Sequence, residues 1–63
     1  MSSAVEFHKT KAKMYRVRAD EMRALADRLK NEEHKRLLFE SAENYEKLAE
    51  IEAREIQRRD RFG

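Results

Sequence analysis

Apolar and small residues recur along this chain in steps that alternate between three and four. In the first half they fall at Val5, His8, Ala12, Tyr15, Ala19, Met22, Ala26 and Leu29. Such steps return a residue to the same side of an α-helix with a period near 3.5, the signature of a helical seam. A second series runs Leu38, Ala42, Tyr45, Ala49, then Glu52 or Ala53, then Ile56. Between the two series the pattern stops. Asn31 there is a strong N-cap residue, and Glu32 and Glu33 supply the negative charge that the first turn of a helix favours. Ser3 followed by Glu6 has the spacing of a capping box. The pattern predicts helix 1 over about 4–30, a turn over about 30–32, helix 2 over about 32–59 and a flexible tail at 60–63. A connection this short makes the helices antiparallel neighbours, so the fold class is all-α, a two-helix hairpin occupying residues 1–63 as one domain.

The seam alternates small and large residues. Ala12, Ala19 and Ala26 recur every seven positions on helix 1, with Ala42 and Ala49 answering on helix 2. Alanine lets two helices approach closely while the larger neighbours fill the space beside them. The stretches Ala19 to Asp27 and Ala42 to Glu50 share the order Ala, acid, x, large apolar, x, x, Leu, Ala, acid. Duplication and convergence on one packing problem both explain this likeness, and either supports a hairpin. Beside the seams lies a second apolar set: Phe7, Met14, Val17 and Leu25 on helix 1, Leu37, Leu48 and Ile51 on helix 2. Two helices bury one seam against each other, so this second set is expected to be exposed on a lone hairpin. The economical remedy is a homodimer, two hairpins forming a four-helix bundle of coiled-coil character. The expected hairpin and dimer core is Val5, Ala12, Tyr15, Ala19, Met22, Leu25, Ala26, Leu29, Leu37, Leu38, Ala42, Tyr45, Leu48, Ala49, Ile51 and Ile56.

Composition narrows the alternatives. The 63 residues include no cysteine, no proline and a single glycine, and 44% are charged. A core from so short a chain is marginal, and without disulfides or a Cys/His cluster the natural supplement is oligomerisation. No secretory signal or membrane span is evident, so a cytoplasmic protein is expected. The Glu-x-x-His motif of di-iron bundles is missing, because Val5 precedes His8 and Asn31 precedes His34 at that spacing. No metal site, no cofactor and no enzymatic activity are expected, since no Gly-rich phosphate loop or room for a pocket accompanies these helices.

Charge is unevenly laid out. Residues 1–18 with 54–63, the open end of the hairpin, hold nine bases and three acids for a net +6; residues 19–53 hold six bases and ten acids for a net −4. Two such rods attract when their turns lie at opposite ends and repel when they lie together, a bias that salt screens. An antiparallel dimer is the favoured partner arrangement, with another protein as a further possible partner. The basic cluster Lys9, Lys11, Lys13, Arg16, Arg18, Arg54, Arg58 and Arg59, with Arg61 beyond it, also offers candidate phosphate contacts for nucleic acid.

Individual side chains stand out. His8 belongs to the seam and should fall near Glu52 to Ile56, where a His–Glu layer would hold register or respond to pH. As a residue near a helix start, it is first expected to keep its ring tip in water. His34 is expected to be solvated. Tyr15 and Tyr45 should meet across the hairpin. Phe39 falls among Glu43, Glu46 and Glu50 on the outer face, either folded over the turn or a partner contact. Phe62 is expected either to pack on the open end or to be disordered.

The motif Tyr15-Arg16-x-Arg18-Ala19 with Leu25-Ala26, followed by Leu37-Leu38, Ala42 and Tyr45-Glu46-x-Leu48-Ala49, resembles a group of small uncharacterised helical-hairpin proteins from alphaproteobacteria. The resemblance covers about residues 14–50 and rests mostly on packing residues. Those relatives often carry Asp-Pro at the turn, where this chain has Asn31-Glu32, keeping the cap without the rigid ring. The group implies no activity. In length and layout the chain is also similar to the plasmid copy-number protein Rop, an antiparallel dimer of hairpins that binds paired RNA. That likeness is architectural, and fold alone does not carry function.

Overall fold

A computed structural model describes residues 3–62 as two α-helices, α1 at Ser3–Arg28 and α2 at Glu32–Phe62. They are joined by Leu29, Lys30 and Asn31 and lie against each other as a hairpin rod, with Cα extents of 48 × 14 × 10 Å. The turn is built as its residues dictate. The Leu29 N–H closes a tight final turn onto the Ala26 carbonyl at 3.1 Å. Asn31 then caps α2: its side-chain oxygen accepts the His34 N–H at 3.0 Å, and its carbonyl accepts the Lys35 N–H at 3.0 Å.

Three helix ends differ from the periodic reading. α1 stops at Arg28, two residues early, because the chain must turn before Asn31 can cap the next helix. At its start Ser3 is already helical instead of standing outside as a cap, and the Glu6 carboxylate lies 4.0 Å from Lys9 Nζ. α2 continues to Phe62, so residues 60–62 are helical and not a tail. No helix breaker precedes Gly63, and Arg59 and Arg61 suit the negative end of the helix dipole. The Phe62 side chain and Gly63 lie outside the described residues.

The seam residues meet as expected. Ala12, Ala19, Ala26, Ala42 and Ala49 are at most 3% exposed, and Val5, Tyr15, Met22, Leu29, Leu38 and Ile56 are half-buried around them. Among the described residues no large side chain is fully buried; apart from the alanines only Glu52 is buried, at 8%. Burying a methyl contributes about 0.8 kcal/mol, so the five alanines supply only about 4 kcal/mol. Their main effect is geometric, a thin rod whose remaining large apolar side chains have no room between the helices. Among the described residues, no helix is long and apolar enough to cross a membrane.

Candidate interaction face

One rule organises the rod's surface. A residue that directly precedes a seam residue lies about 100° to one side of it, and a residue that directly follows lies about 100° to the other. In antiparallel neighbours the preceding positions of both helices come to the same face. That leading face carries Phe7 (before His8), Met14 (before Tyr15) and Leu25 (before Ala26) on α1. From α2 it receives Leu37 (before Leu38), Leu48 (before Ala49) and Ile51 (before Glu52). The following positions form a trailing face of Lys9, Lys13, Arg16, Asp20, Arg23 and Asp27 against Phe39, Glu43, Glu46, Glu50 and Gln57.

Contacts agree with this division. On the trailing face Arg23 reaches across to Glu46 at 2.8 Å and also lies 3.9 Å from Asp20. The Arg23 guanidinium holds the Glu46 carboxyl below its usual range, and Glu46 in turn raises Arg23. The leading face has a depression of about 150 Å³ lined by Lys11, Met14, Tyr15, Arg18 and Tyr45. Its floor is the Tyr15–Tyr45 pair, stacked with centroids 6.2 Å apart at 28°. Lys11 Nζ sits 5.2 Å from the Phe7 ring centroid, a cation over an aromatic face.

The six apolar side chains of the leading face are 40–59% exposed; Val17, two places from seam residues on either side, points away from α2 and is 48% exposed. Leu25, Leu37, Leu48 and Ile51, expected in the hairpin and dimer core, are thus not covered by the hairpin itself. Phe39, on the opposite face, is 41% exposed. His34 is exposed, as anticipated.

His8 corrects the expectation of a ring tip in water. Its Nδ1 contacts the Glu52 carboxylate, and the imidazole is only 17% exposed. Lys11 Nζ reaches the other Glu52 oxygen at 3.0 Å. The His8 and Lys11 hydrogen bonds hold Glu52 below the usual carboxylate range, and Glu52 raises Lys11. The seam's period could not choose between Glu52 and Ala53; two partners on α1 explain why the carboxylate takes the inner position.

The eight candidate phosphate contacts do not form one surface. Lys9 lies on the trailing face beside Glu6, Lys11 is drawn to Glu52, and Arg18 lies 4.0 Å from Glu21. Lys13 and Arg16 are exposed on the trailing face. Arg58 and Arg59 both pair with Glu55, Arg59 at 3.2 Å, and these arginines hold the Glu55 carboxyl below its usual range, Arg58 foremost. Arg54, Gln57, Arg58 and Arg61 line one shallow depression along α2. The Arg23–Glu46 bridge was not anticipated from sequence, although both residues directly follow a seam position on antiparallel helices. Comparison with known protein families, with curated proteins and with solved structures finds no match to this chain.

Proposed function

We propose that this protein is a non-enzymatic, self-associating helical module, in which two hairpins join through their leading faces into a four-helix bundle with turns at opposite ends. The observation that carries this reading is the apolar stripe Phe7, Met14, Leu25, Leu37, Leu48 and Ile51, gathered on one face and left open. Area supports it. The rod exposes 5177 Å², whereas a folded monomer of 7.6 kDa is expected to expose about 4,300 Å². The excess of about 900 Å² matches the roughly 800 Å² that each partner contributes to a standard interface. The charge poles favour the antiparallel stack, since each basic open end then lies beside an acidic turn region. Light scattering coupled to size exclusion tests the reading: a dimer is expected at micromolar concentration, and a folded species of 7.6 kDa there would refute it.

A second reading rests on the depression lined by Arg54, Gln57, Arg58 and Arg61. In it the open end contacts nucleic-acid phosphates, consistent with the architectural likeness to Rop. A gel-shift titration with RNA and DNA at several salt concentrations separates the two. Binding that weakens steeply with salt favours the phosphate reading, and no binding at low salt rejects it.

A further inference from the structure

We infer that the two-fold axis relating the two copies crosses the leading face at mid-length, beside Met14 and over the Tyr15–Tyr45 stack. The inference rests on the self-association reading and adds the register and the central contact. From the helix limits, the midpoint of α1 falls between Tyr15 and Arg16 and that of α2 at Lys47. The stacked tyrosines and their depression therefore sit at the middle of the rod. A two-fold axis perpendicular to a rod brings only its middle onto itself. Met14, 55% exposed at the rim of that depression, then faces the equivalent depression of the second copy.

The outer apolar residues fit the same axis. At 1.5 Å per residue, Phe7 lies about 13 Å from the midpoint toward the open end, while Leu25 and Leu37 lie about 14 and 15 Å toward the turn. Reversal about the middle sets Phe7 of one copy against Leu25 and Leu37 of the other. A stack with turns together also matches apolar levels, but it sets the +6 open ends against each other and the −4 turn regions against each other. Charge thus selects between two packings that apolar contacts alone leave nearly equal.

The absence of cysteine from the chain makes the test direct. Single Met14→Cys and Leu25→Cys variants, with an equal mixture of Phe7→Cys and Leu25→Cys, are treated with a short thiol-to-thiol cross-linker. All three positions are exposed, so each variant should keep its helices, which circular dichroism checks. Met14→Cys alone should link into covalent dimers in most molecules, and the Phe7→Cys and Leu25→Cys mixture should link across variants. Leu25→Cys alone should stay unlinked, because its two copies would lie about 28 Å apart along the rods. Efficient linking of Leu25→Cys alone overturns the inference in favour of turns together. A scattering dimer whose Met14→Cys form does not link overturns the central contact while leaving self-association intact. A monomer by scattering before any cysteine is introduced removes the underlying reading itself.

Discussion

The leading and trailing faces of this rod share a backbone and a seam, yet they are chemically opposite. Six residues one place before the seam are large and apolar, standing among Lys11, Arg18, Glu21, Arg28 and Glu55, whereas residues one place after it are mostly charged, with Phe39 the one large apolar side chain. The trailing face settles its charges within the chain, as Arg23 and Glu46 show across the helices. The leading face has no comparable partner for Leu25, Leu48 or Ile51. A shift of one position relative to the seam therefore separates a self-contained surface from an incomplete one. The seam decides that there is a hairpin, and the residues beside it decide which way the hairpin can be covered.

Substitutions that erase this asymmetry should have effects of graded size. The largest is expected where both faces depend on the seam. Ala19→Leu and Ala49→Leu overfill a contact with no space for a larger side chain, and each should cost about 1–3 kcal/mol, read by urea or thermal unfolding. Unchanged stability would place the alanines outside the helix contact. Next, Leu48→Lys with Ile51→Lys should abolish the proposed dimer in sedimentation while helicity persists, whereas Glu43→Lys with Glu50→Lys on the trailing face should not alter the association state. Equal loss from both pairs would erase the distinction between the faces. Asn31→Ala removes the cap of α2 and should cost about 1 kcal/mol, with Asn31→Asp restoring most of it.

The smallest expected effect is pH dependence at the polar layer. Glu52 is held below the ordinary glutamate value by His8 and then Lys11. A carboxylate whose folded pKa is depressed stabilises the fold above its unfolded value, about 4.3. That stability is lost as pH falls through the lower folded value. Melting temperature should therefore drop below about pH 4, and Glu52→Gln should flatten part of that slope. Glu46 and Glu55 are lowered as well, so the flattening is partial. An acid limb identical in Glu52→Gln would show that folding does not lower the proton affinity of the buried carboxylate.

Much of the fold was legible because helical period assigns Ala12, Ala19, Ala26, Ala42 and Ala49 to the contact, and the side-chain chemistry of Asn31, Glu32 and Glu33 at the break in that period assigns the cap. The exposed set was legible for the same reason, since Phe7, Met14, Leu25 and Leu48 fall off the seam by a fixed step. The His8–Glu52–Lys11 layer was harder to read. Its partners are 44 residues apart for His8 and Glu52, so their meeting depends on a register fixed only when the turn is known to the residue. The end of α2 was also misplaced, because arginines near a C-terminus read equally as a solvated tail or as a helix end that favours positive charge. That the basic cluster is spread around the helices was legible from its spacing; its pairing with local acids such as Glu55 was not.

The buried Glu52 has one more consequence. An alanine repeat of seven is a ruler with identical marks: sliding α2 along α1 by seven residues would again lay alanine on alanine. The same slide would bring Glu52 opposite Tyr15 and leave its carboxylate without the imidazole and ammonium it now meets. The alanines thus hold the helices together without saying where; the three-residue connection sets the address, and the Glu52 carboxylate fits that address alone.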